Sequence, residues 1–279
     1  MPELPEVETT RRGIEPHIDG QRITKMDIRQ PKLRWPIPDH LPHTVKGLTV
    51  LATKRRAKYL LIELGRTTGA NPLVGTLIIH LGMSGSLRII QGKPQPPAKH
   101  EHFDIRFNNQ YLLRFTDPRR FGACLWMPSD ESLAILDNLG PEPLDDIVDA
   151  DYLFKKSRKR VVNIKSFIMD QKIVVGVGNI YASECLYLSG INPQKAAGKI
   201  SKVKYAALVI AIKQVLKKAI SEGGTTLKDF VGSDGKPGYF AQQLNVYGRK
   251  GDPCPHCQSP IKQITQGQRS TFYCSACQK

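Results

Sequence analysis

The stretch CPHCQSPIKQITQGQRSTFYCSAC, residues 254–277, contains two Cys-x2-Cys pairs separated by sixteen residues. A pair of this spacing places two thiolates on one tight turn, and two such turns can enclose a single tetrahedral metal ion. Four thiolates complete the coordination shell of zinc, so the metal is expected to be structural and not catalytic. The spacing therefore predicts a C-terminal zinc ribbon in which one Zn2+ is bound by Cys254, Cys257, Cys274 and Cys277.

The segment between the two pairs, within QGQRSTFYC, predicts a β-hairpin with Arg269 at its tip. An arginine at such a position is usually just solvated. On a basic chain, a rigid hairpin tip also suits an arginine that clamps a phosphate. The sequence alone leaves both alternatives open. The two remaining cysteines, Cys124 and Cys185, lie in apolar contexts and are expected in the core.

The composition points to a polyanionic partner. Lysine and arginine exceed aspartate and glutamate by 41 to 25 over the 279 residues, which gives a net charge of +16. Such an excess favours nucleic acid, ahead of an anionic membrane surface. The chain does not start with a basic region followed by an apolar one, and it has no run of about 18 apolar residues. A cytoplasmic protein without membrane contact is therefore expected.

Residues 1–135 are predicted to form one domain of strands behind a single opening helix at about residues 5–16. Short stretches rich in Ile, Leu, Val and Tyr follow one another with Gly, Pro and Asn between them. Because no helices intervene, the strands predict an antiparallel sandwich and not a parallel sheet. The predicted strands are RITKMDIRQ, LTVLATKRR, KYLLIEL, GTLIIHLGM, GSLRII, HFDIRFNN and QYLLRFTD.

Residues 136–148 form a Pro-rich linker around LGPEPLDD, and a helical period dominates beyond it. Residues 149–240 are therefore predicted as a second, helical domain, and residues 241–279 as the zinc-ribbon subdomain. The longest helix is predicted to run from Ser201, its N-cap, to Ser221, just before two glycines.

Four further motifs favour structural roles when each is taken alone. Asn179, in GVGN, is expected to cap the next helix, although backbone N–H groups at such a helix start also suit a phosphate. Lys58, in RRAKYL, is expected from spacing to be a solvated strand residue. Met83, in HLGMSG, is more often a filler of core gaps. DPRRFG is compatible with an Asp-Pro turn bearing two exposed arginines.

The order of the motifs changes this interpretation. PELPEVE, RRAKYL, HLGMSG, DPRRFG, GVGNIYASE, SDGKPGYFAQ, VYGR and RSTFYC follow one another along essentially the whole chain. The series closely resembles the formamidopyrimidine-DNA glycosylases, bifunctional enzymes of base-excision repair. The resemblance implies an α+β fold: an antiparallel β-sandwich with an N-terminal helix, a helix-two-turn-helix domain with a lesion-capping loop, and a C-terminal zinc finger. The strand-then-helix pattern leads to the same architecture.

The resemblance assigns the chemistry first to the N-terminus. A Met before a small residue is commonly removed, which would leave Pro2 with a free secondary amine. That amine would attack C1′ of the damaged nucleotide and form a Schiff base. Glu3 would exchange protons during opening of the sugar ring. Lys58 would donate a proton in the elimination step and contact a phosphate, and Arg269 would do the same in the second, δ-elimination.

The resemblance also implies how DNA is held. Met83, Arg119 and Phe121 would form a wedge that fills the gap left by the flipped-out nucleotide, and Arg119 would contact the orphaned cytosine. A loop at residues 233–240 would close over the lesion. Residues 67–75 are longer than the usual hairpin and are expected to be remote from the chemistry. Contacts to the DNA backbone would come from His100, Arg160, Lys165 and Asn179.

Two alternatives remain at this point. The endonuclease VIII branch removes oxidised pyrimidines, but its members usually begin Pro-Glu-Gly-Pro, whereas this chain has Pro-Glu-Leu-Pro and the full DPRRFG. A non-enzymatic zinc-ribbon protein that binds nucleic acid would explain the charge and the cysteines, but not Pro2 followed by Glu3. The favoured partner is double-stranded DNA containing 8-oxoguanine or formamidopyrimidines. The protein is expected to be a monomer, cytoplasmic and nucleoid-associated in a bacterial cell.

Overall fold

The computed structural model describes residues 2–67, 72–225 and 243–279. These residues divide into two compact units. The first unit contains the described residues up to 137 together with residues 222–225, and the second contains residues 138–221 and 243–279. No helix among them combines the length and the apolar character that crossing a bilayer requires.

The first unit begins with helix α1, Leu4–Ile18. Pro5 lies in its first turn, where a missing N–H costs no hydrogen bond. A capping box between Glu3 and Glu6 satisfies backbone donors of the same turn. The apolar face of α1 is buried in the core of this unit. The helix predicted at residues 5–16 is therefore confirmed.

Eight strands follow α1 and build two antiparallel sheets. They are β1 (Ile23–Ile28), β2 (Thr49–Arg56), β3 (Tyr59–Gly65), β4 (Leu73–His80), β5 (Ser86–Gln91), β6 (Glu101–Phe107), β7 (Tyr111–Thr116) and β8 (Ala123–Pro128). One sheet has the order β1-β6-β7-β5 and the other the order β2-β3-β4-β8. Apolar side chains from both sheets and from α1 form one buried cluster. The predicted antiparallel sandwich is confirmed.

Three elements of the first unit lie outside the predicted segments. Strand β8 pairs with β4 along its whole length, but its sequence ACLWMP lacks the polar alternation that marks a half-buried strand. Helix α2 (Leu41–Val45) is only five residues long and carries a Pro at its start. Helix α3 (Ala134–Asp137) is a single turn. Elements this short give no periodic signal.

The second unit is helical up to residue 221. Tyr181 and Tyr205 are fully buried at the centre of its apolar core. The helix-rich character predicted for this region is confirmed. Its elements are α4 (Ala150–Ser157), α5 (Ile164–Met169), α6 (Asn179–Leu188), a 3-10 turn (Ala197–Lys199) and α7 (Lys202–Ser221).

Both ends of α7 match the prediction. The hydroxyl oxygen of Ser201 accepts the backbone N–H of Lys204 at 3.3 Å, which is the N-cap interaction. Gly223, just beyond the helix, has a φ of +75°. That left-handed conformation ends helices and favours glycine.

The start of α6 differs from the prediction. Gly178 is the N-cap, and Asn179 is the first residue of the helix. The expectation that Asn179 caps this helix is therefore wrong. Its side chain is bonded instead to residues distant in sequence, which a local pattern does not reveal.

The C-terminal segment forms the predicted hairpin from β9 (Lys262–Gln266) and β10 (Arg269–Tyr273). Gly267 and Gln268 connect the strands with φ values of +53° and +60°. Two left-handed residues in a two-residue loop give the tight turn that suits the twist of a hairpin. Arg269 follows this turn directly, so its predicted place at the tip is confirmed.

Candidate functional site

The N-terminal end of α1 buries a polar group of residues. Pro2, Glu3 and Glu6 are all buried. One carboxylate oxygen of Glu6 accepts the backbone N–H of Glu3 at 2.7 Å, and the other accepts that of Thr225 at 2.8 Å. A Cβ at position 224 would lie 3.0 Å from the Glu6 carboxylate, so the neighbouring Gly224 allows this close approach. Glu6 therefore fixes the backbone immediately after Pro2.

Lys58 lies in the tight turn between β2 and β3, and only 6% of its surface is exposed. The expectation from spacing, a solvated strand residue, is wrong. The preceding Ala57 has a φ of +54°, which turns the chain inward. The Arg55 guanidinium donates to the Ala57 carbonyl at 2.9 Å and to the Glu8 carboxylate at 3.3 Å. Arg55 thus ties the turn that carries Lys58 to helix α1.

Glu8 is the anionic partner of Arg55 in this ion pair. Burial alone would raise the pKa of its carboxyl, but hydrogen bonds from Arg11 and Arg12 and the charge of Arg55 hold the pKa below its usual value. The carboxylate is therefore ionised at neutral pH. An ionised Glu8 keeps Arg55 and the Lys58 turn in place.

His80, at the end of β4, is a polar residue of this region that the sequence analysis does not single out. Burial, together with the charges of Lys58 and Arg34, lowers the pKa of its imidazole to about 4. Its Nδ1 accepts the backbone N–H of Gly82 at 3.0 Å. The neutral ring therefore carries its proton on Nε2, which is a hydrogen-bond donor. Its place in HLGMSG, three residues before Met83, is the signal that could have identified it.

The HLGMSG turn and the DPRRFG loop meet in the first unit. Gly82 has a φ of +65°, and a Cβ there would lie 2.5 Å from the backbone of Phe121 and Gly122. The buried Asp117 carboxylate accepts the Ser84 hydroxyl at 2.7 Å and the Gly122 N–H at 2.8 Å. Asp117 therefore cross-links the two segments.

The side chains predicted as a wedge project from this junction. Met83 is 36% exposed and Phe121 is 45% exposed, which is unusual for large apolar side chains. The expectation from residue type, that Met83 fills a core gap, is wrong. The guanidinium carbon of Arg119 lies 5.0 Å from the centre of the Phe121 ring. An exposed apolar pair with an arginine stacked on it suits insertion between bases.

A second polar cluster lies in the second unit beside the zinc hairpin. The buried Lys165 ammonium donates to the side chains of Asn179 at 2.6 Å and Thr271 at 2.8 Å, and to the Ser270 carbonyl at 3.1 Å. The Asn179 amide also donates to the Ser270 carbonyl, at 3.0 Å. These bonds join α5 and α6 to the strand that begins at Arg269, so Lys165 and Asn179 hold the hairpin tip.

A pocket of about 190 Å³ opens at this cluster. Lys165, Asn179 and the exposed Arg269 line it, together with Asp170. The guanidinium of Arg269 offers a planar fork of donors to a phosphate oxygen. Lys165 adds positive charge beside it, although its three N–H donors are already used within the cluster.

The other two predicted backbone contacts are exposed. His100 lies in the first unit, where its carbonyl accepts the N–H of Asp117 at 3.0 Å, next to the wedge loop. Arg160 lies in the second unit, in the loop before α5. The predicted DNA contacts thus fall into two groups, one in each unit.

The four C-terminal cysteines converge as the spacing predicts. Their sulfur atoms all lie within 4.8 Å of one another. The sulfurs of Cys254 and Cys277 are 3.9 Å apart, and those of Cys257 and Cys274 are 3.4 Å apart. Tetrahedral zinc with bonds of about 2.3 Å separates its thiolates by about 3.8 Å. The residues therefore fit one structural zinc ion. The Tyr187 hydroxyl, 3.3 Å from the Cys254 sulfur, adds an outer-shell partner.

Two predicted segments lie wholly or partly outside the described residues. The loop at residues 233–240 lies entirely outside them. In the longer segment at residues 67–75, residues 68–71 lie outside them. Cys124 and Cys185 are fully buried, as expected for core thiols.

Three family models match the chain. Residues 1–124 match the N-terminal domain of formamidopyrimidine-DNA glycosylase, and residues 139–231 match its H2TH domain. Residues 251–279 match the zinc finger found in FPG and IleRS. Relatives named formamidopyrimidine-DNA glycosylase, from Alteromonas mediterranea and Pseudomonas putida, are 56% and 53% identical over 279 residues, with 100% of each chain covered.

Solved structures agree with these matches. A complex of a Lactococcus lactis FPG mutant with DNA containing Fapy-dG superposes with a TM-score of 0.90 at 32% identity, covering 100% of both chains. A complex of Lactococcus lactis Fpg with DNA containing an abasic site gives 0.89 at 32% identity, with the same coverage. MutM (FPG) from Thermus thermophilus gives 0.86 at 34% identity, covering 99% of this chain and 98% of that one.

Proposed function

The chain belongs to the formamidopyrimidine-DNA glycosylase family, and on that premise we propose how its own residues perform the chemistry. The protein is a bifunctional enzyme of base-excision repair. It removes oxidised purines from double-stranded DNA and cleaves the strand at the resulting abasic site. The protein also binds one structural zinc ion. We propose the following role for each residue.

The nucleophile is the amine of Pro2, freed by removal of Met1. Its lone pair attacks C1′ while the bond between C1′ and the damaged base breaks, and the base leaves with the bonding electron pair. The new ammonium then loses its one N–H proton. When the C1′–O4′ bond breaks and O4′ receives a proton, the product is an iminium that stays positively charged, because a secondary amine has no second proton to lose. An α-amino group has a lower ordinary pKa than a lysine side chain, so more of it is neutral at pH 7 and able to attack.

Glu3 exchanges protons with the sugar as its ring opens. The side chain is buried next to Pro2 in sequence, which keeps it within the same small region. Glu6 does not take part in the chemistry directly. By accepting the Glu3 N–H it positions the backbone between the nucleophile and the proton carrier.

Strand cleavage follows from the charge of the iminium. The cation withdraws electrons from the sugar, so a proton is lost at C2′ and the 3′ phosphate leaves. Lys58 protonates this leaving group and contacts the DNA backbone. Its enclosed position in the β2–β3 turn supports both roles. Arg269 assists the second elimination, which expels the 5′ phosphate, and its place at a rigid hairpin tip supports that role.

Met83, Arg119 and Phe121 form the wedge that replaces the extruded nucleotide. Their exposure on two cross-linked segments supports insertion without rearrangement of the fold. Arg119 faces the cytosine left without a partner. Four further residues complete the contacts to the DNA backbone: His100, Arg160, Asn179 and Lys165. Lys165 contributes chiefly by positioning the hairpin.

We propose the division made from the sequence: a catalytic domain at residues 1–135, a linker at 136–148, a helix-two-turn-helix domain at 149–240 and a zinc finger at 241–279. The order of the three family matches supports the order of these domains, whereas residues 222–225 group with the first unit. We also propose that the protein works in the cytoplasm, associated with the nucleoid. Bacterial relatives that act on DNA support that location.

The observation that carries the assignment is the buried Pro2–Glu3 pair, held by Glu6 at the start of α1. The test is a duplex with one 8-oxoguanine opposite cytosine. The protein should cut the lesion strand and leave phosphates at both ends of the gap. A matched duplex with an oxidised pyrimidine should be cut more slowly. Preferred cutting of the pyrimidine duplex would favour the endonuclease VIII alternative, and binding without cutting would favour a non-enzymatic protein.

A further inference from the structure

Arg34 is an exposed cation that none of the proposed roles uses. It lies in the loop between β1 and α2, which is closed by a hydrogen bond of 2.8 Å from the Ile37 N–H to the Pro31 carbonyl. Its guanidinium carbon lies 4.6 Å from the centre of the Trp35 ring. A closed loop and a stacked aromatic ring both restrict an arginine side chain, so less entropy is lost when it binds.

The backbone of Arg34 is attached to the wedge loop. Its N–H donates to the Gly122 carbonyl at 3.0 Å, and Gly122 directly follows the exposed Phe121. The position of Arg34 is therefore set by the same loop that carries the wedge.

The charge of Arg34 acts on the region around Lys58. It contributes, with burial and Lys58, to the lowered pKa of His80, and it opposes the rise that burial causes in the pKa of Tyr59. The Tyr59 and His80 rings are in contact, with centres 5.0 Å apart. Two cations therefore border one neutral imidazole.

The Arg34 guanidinium forms no ion pair with any residue in the described part of the chain. The carboxylate that acts on His80 is Asp117, and its oxygens already accept from Ser84 and Gly122. An anion from outside the protein would satisfy the charge.

We propose that Arg34 binds a backbone phosphate of the damaged duplex beside the wedge, in addition to the phosphate contact of Lys58. The proposal rests on the proposed function, in which the wedge enters DNA and Lys58 contacts the backbone. A phosphodiester carries two unesterified oxygens, which match the planar donor fork of an arginine. The contact would hold the strand where the nucleotide is extruded.

The test compares Arg34→Gln with Arg22→Gln. Arg22 is also exposed and belongs to the first unit, but it pairs with Thr49. That position is at the opposite end of β2 from Arg56, about 23 Å away at roughly 3.3 Å per residue. Both arginines are exposed, so both variants are expected to fold, as thermal unfolding will show.

Binding is measured to a duplex with a tetrahydrofuran abasic analogue, which is not cleaved, across a series of KCl concentrations. Arg34→Gln should weaken binding about tenfold and lower the slope of log K against log[KCl] by about 0.9. Arg34→Lys should restore the slope, because it keeps the charge, but only part of the affinity, because it lacks the fork. Arg22→Gln should leave the slope unchanged.

A scan of single methylphosphonates along the lesion strand identifies the phosphate. Neutralising the contacted position should weaken the wild type but not Arg34→Gln. Equal salt slopes for the two glutamine variants would overturn the proposal. It would also be overturned if every methylphosphonate position changed the affinities of the two variants equally. Wild-type protein that fails to cut 8-oxoguanine DNA would instead refute the proposed function, so the two failures are distinguishable.

Discussion

A hydrogen bond of 2.7 Å joins the backbone nitrogen of Glu3 to the carboxylate of Glu6. The same carboxylate accepts the Thr225 N–H at 2.8 Å, so both of its oxygens are used. A carboxylate is an acceptor only, whereas a glutamine amide presents N–H groups on one side. The backbone next to the nucleophile thus depends on both Glu6 side-chain oxygens acting as acceptors.

We predict that Glu6→Gln slows both base excision and cleavage of abasic sites by about tenfold or more. One of the two N–H donors would then face an amide N–H group, at a cost of about 1–3 kcal/mol for the unsatisfied group. DNA binding should be unaffected. Single-turnover rates are the measurement, and Glu15→Gln, on the exposed part of the same helix, is the control. Equal rates for the two variants would mean that Glu6 has no positioning role.

Cys274→Ser should release zinc and weaken DNA binding together, since the ribbon folds around its metal. Zinc content and affinity for an abasic-site duplex are measured on the same preparation. His256→Ala should keep the zinc, although its Nδ1 lies 3.6 Å from the Cys277 sulfur, because four thiolates already fill the coordination shell. Zinc loss without weaker binding would show that Arg269 is not a principal clamp.

Asn179→Ala and Arg269→Ala should weaken binding to damaged and undamaged duplexes alike, by about tenfold each. Contacts to phosphates carry no sequence information. Loss of the Arg269 charge should also lower the salt slope by about one, whereas loss of the neutral Asn179 side chain should leave the slope unchanged. Lys262→Ala is the control, since Lys262 lies at the other end of the same hairpin. A change in lesion preference at constant affinity would contradict the assignment.

Phe121→Ala should slow excision of 8-oxoguanine paired with cytosine more than it slows cleavage of a pre-formed abasic site. Extruding a paired base costs a few kcal/mol, and the wedge recovers part of that cost. An abasic site has no base to extrude. Parallel rate measurements on the two duplexes decide the matter, and equal losses would indicate that DPRRFG is only a structural turn.

The sequence predicted the sandwich, α1, α7, the hairpin and the zinc ligands because each has a local signal. Alternation marks most strands, Ser201 caps α7, and the cysteine spacing is specific. The burial of Lys58 could not be predicted in this way. It depends on the left-handed Ala57 and on Arg55, which bonds to helix α1. The contact between Arg55 and Glu8 joins residues 47 positions apart in the chain.

The same reason explains Asn179 and Glu6. Gly-x-Gly-Asn is a good local capping pattern, but the bonds of Asn179 to Lys165 and to Ser270 determine where its side chain lies. The first turn of α1 explains an acidic residue at position 6 without reference to Thr225, which is more than 200 residues away in the sequence. The motif series indicates roles for these regions but does not reveal these contacts.

The central claim is that the Pro2 amine attacks the sugar. Borohydride reduces an imine to a stable amine, so adding it during turnover on an 8-oxoguanine duplex should give a covalent protein–DNA adduct that maps to the N-terminal peptide. Pro2→Gly, which has a primary and more flexible amine, should cut far more slowly. Any residue left ahead of Pro2 converts the amine into an amide, and such protein should bind DNA but neither cut nor trap. A protein with a blocked N-terminus that still cuts and traps at the full rate would contradict the account and move the nucleophile to a lysine, with Lys58 the first to test.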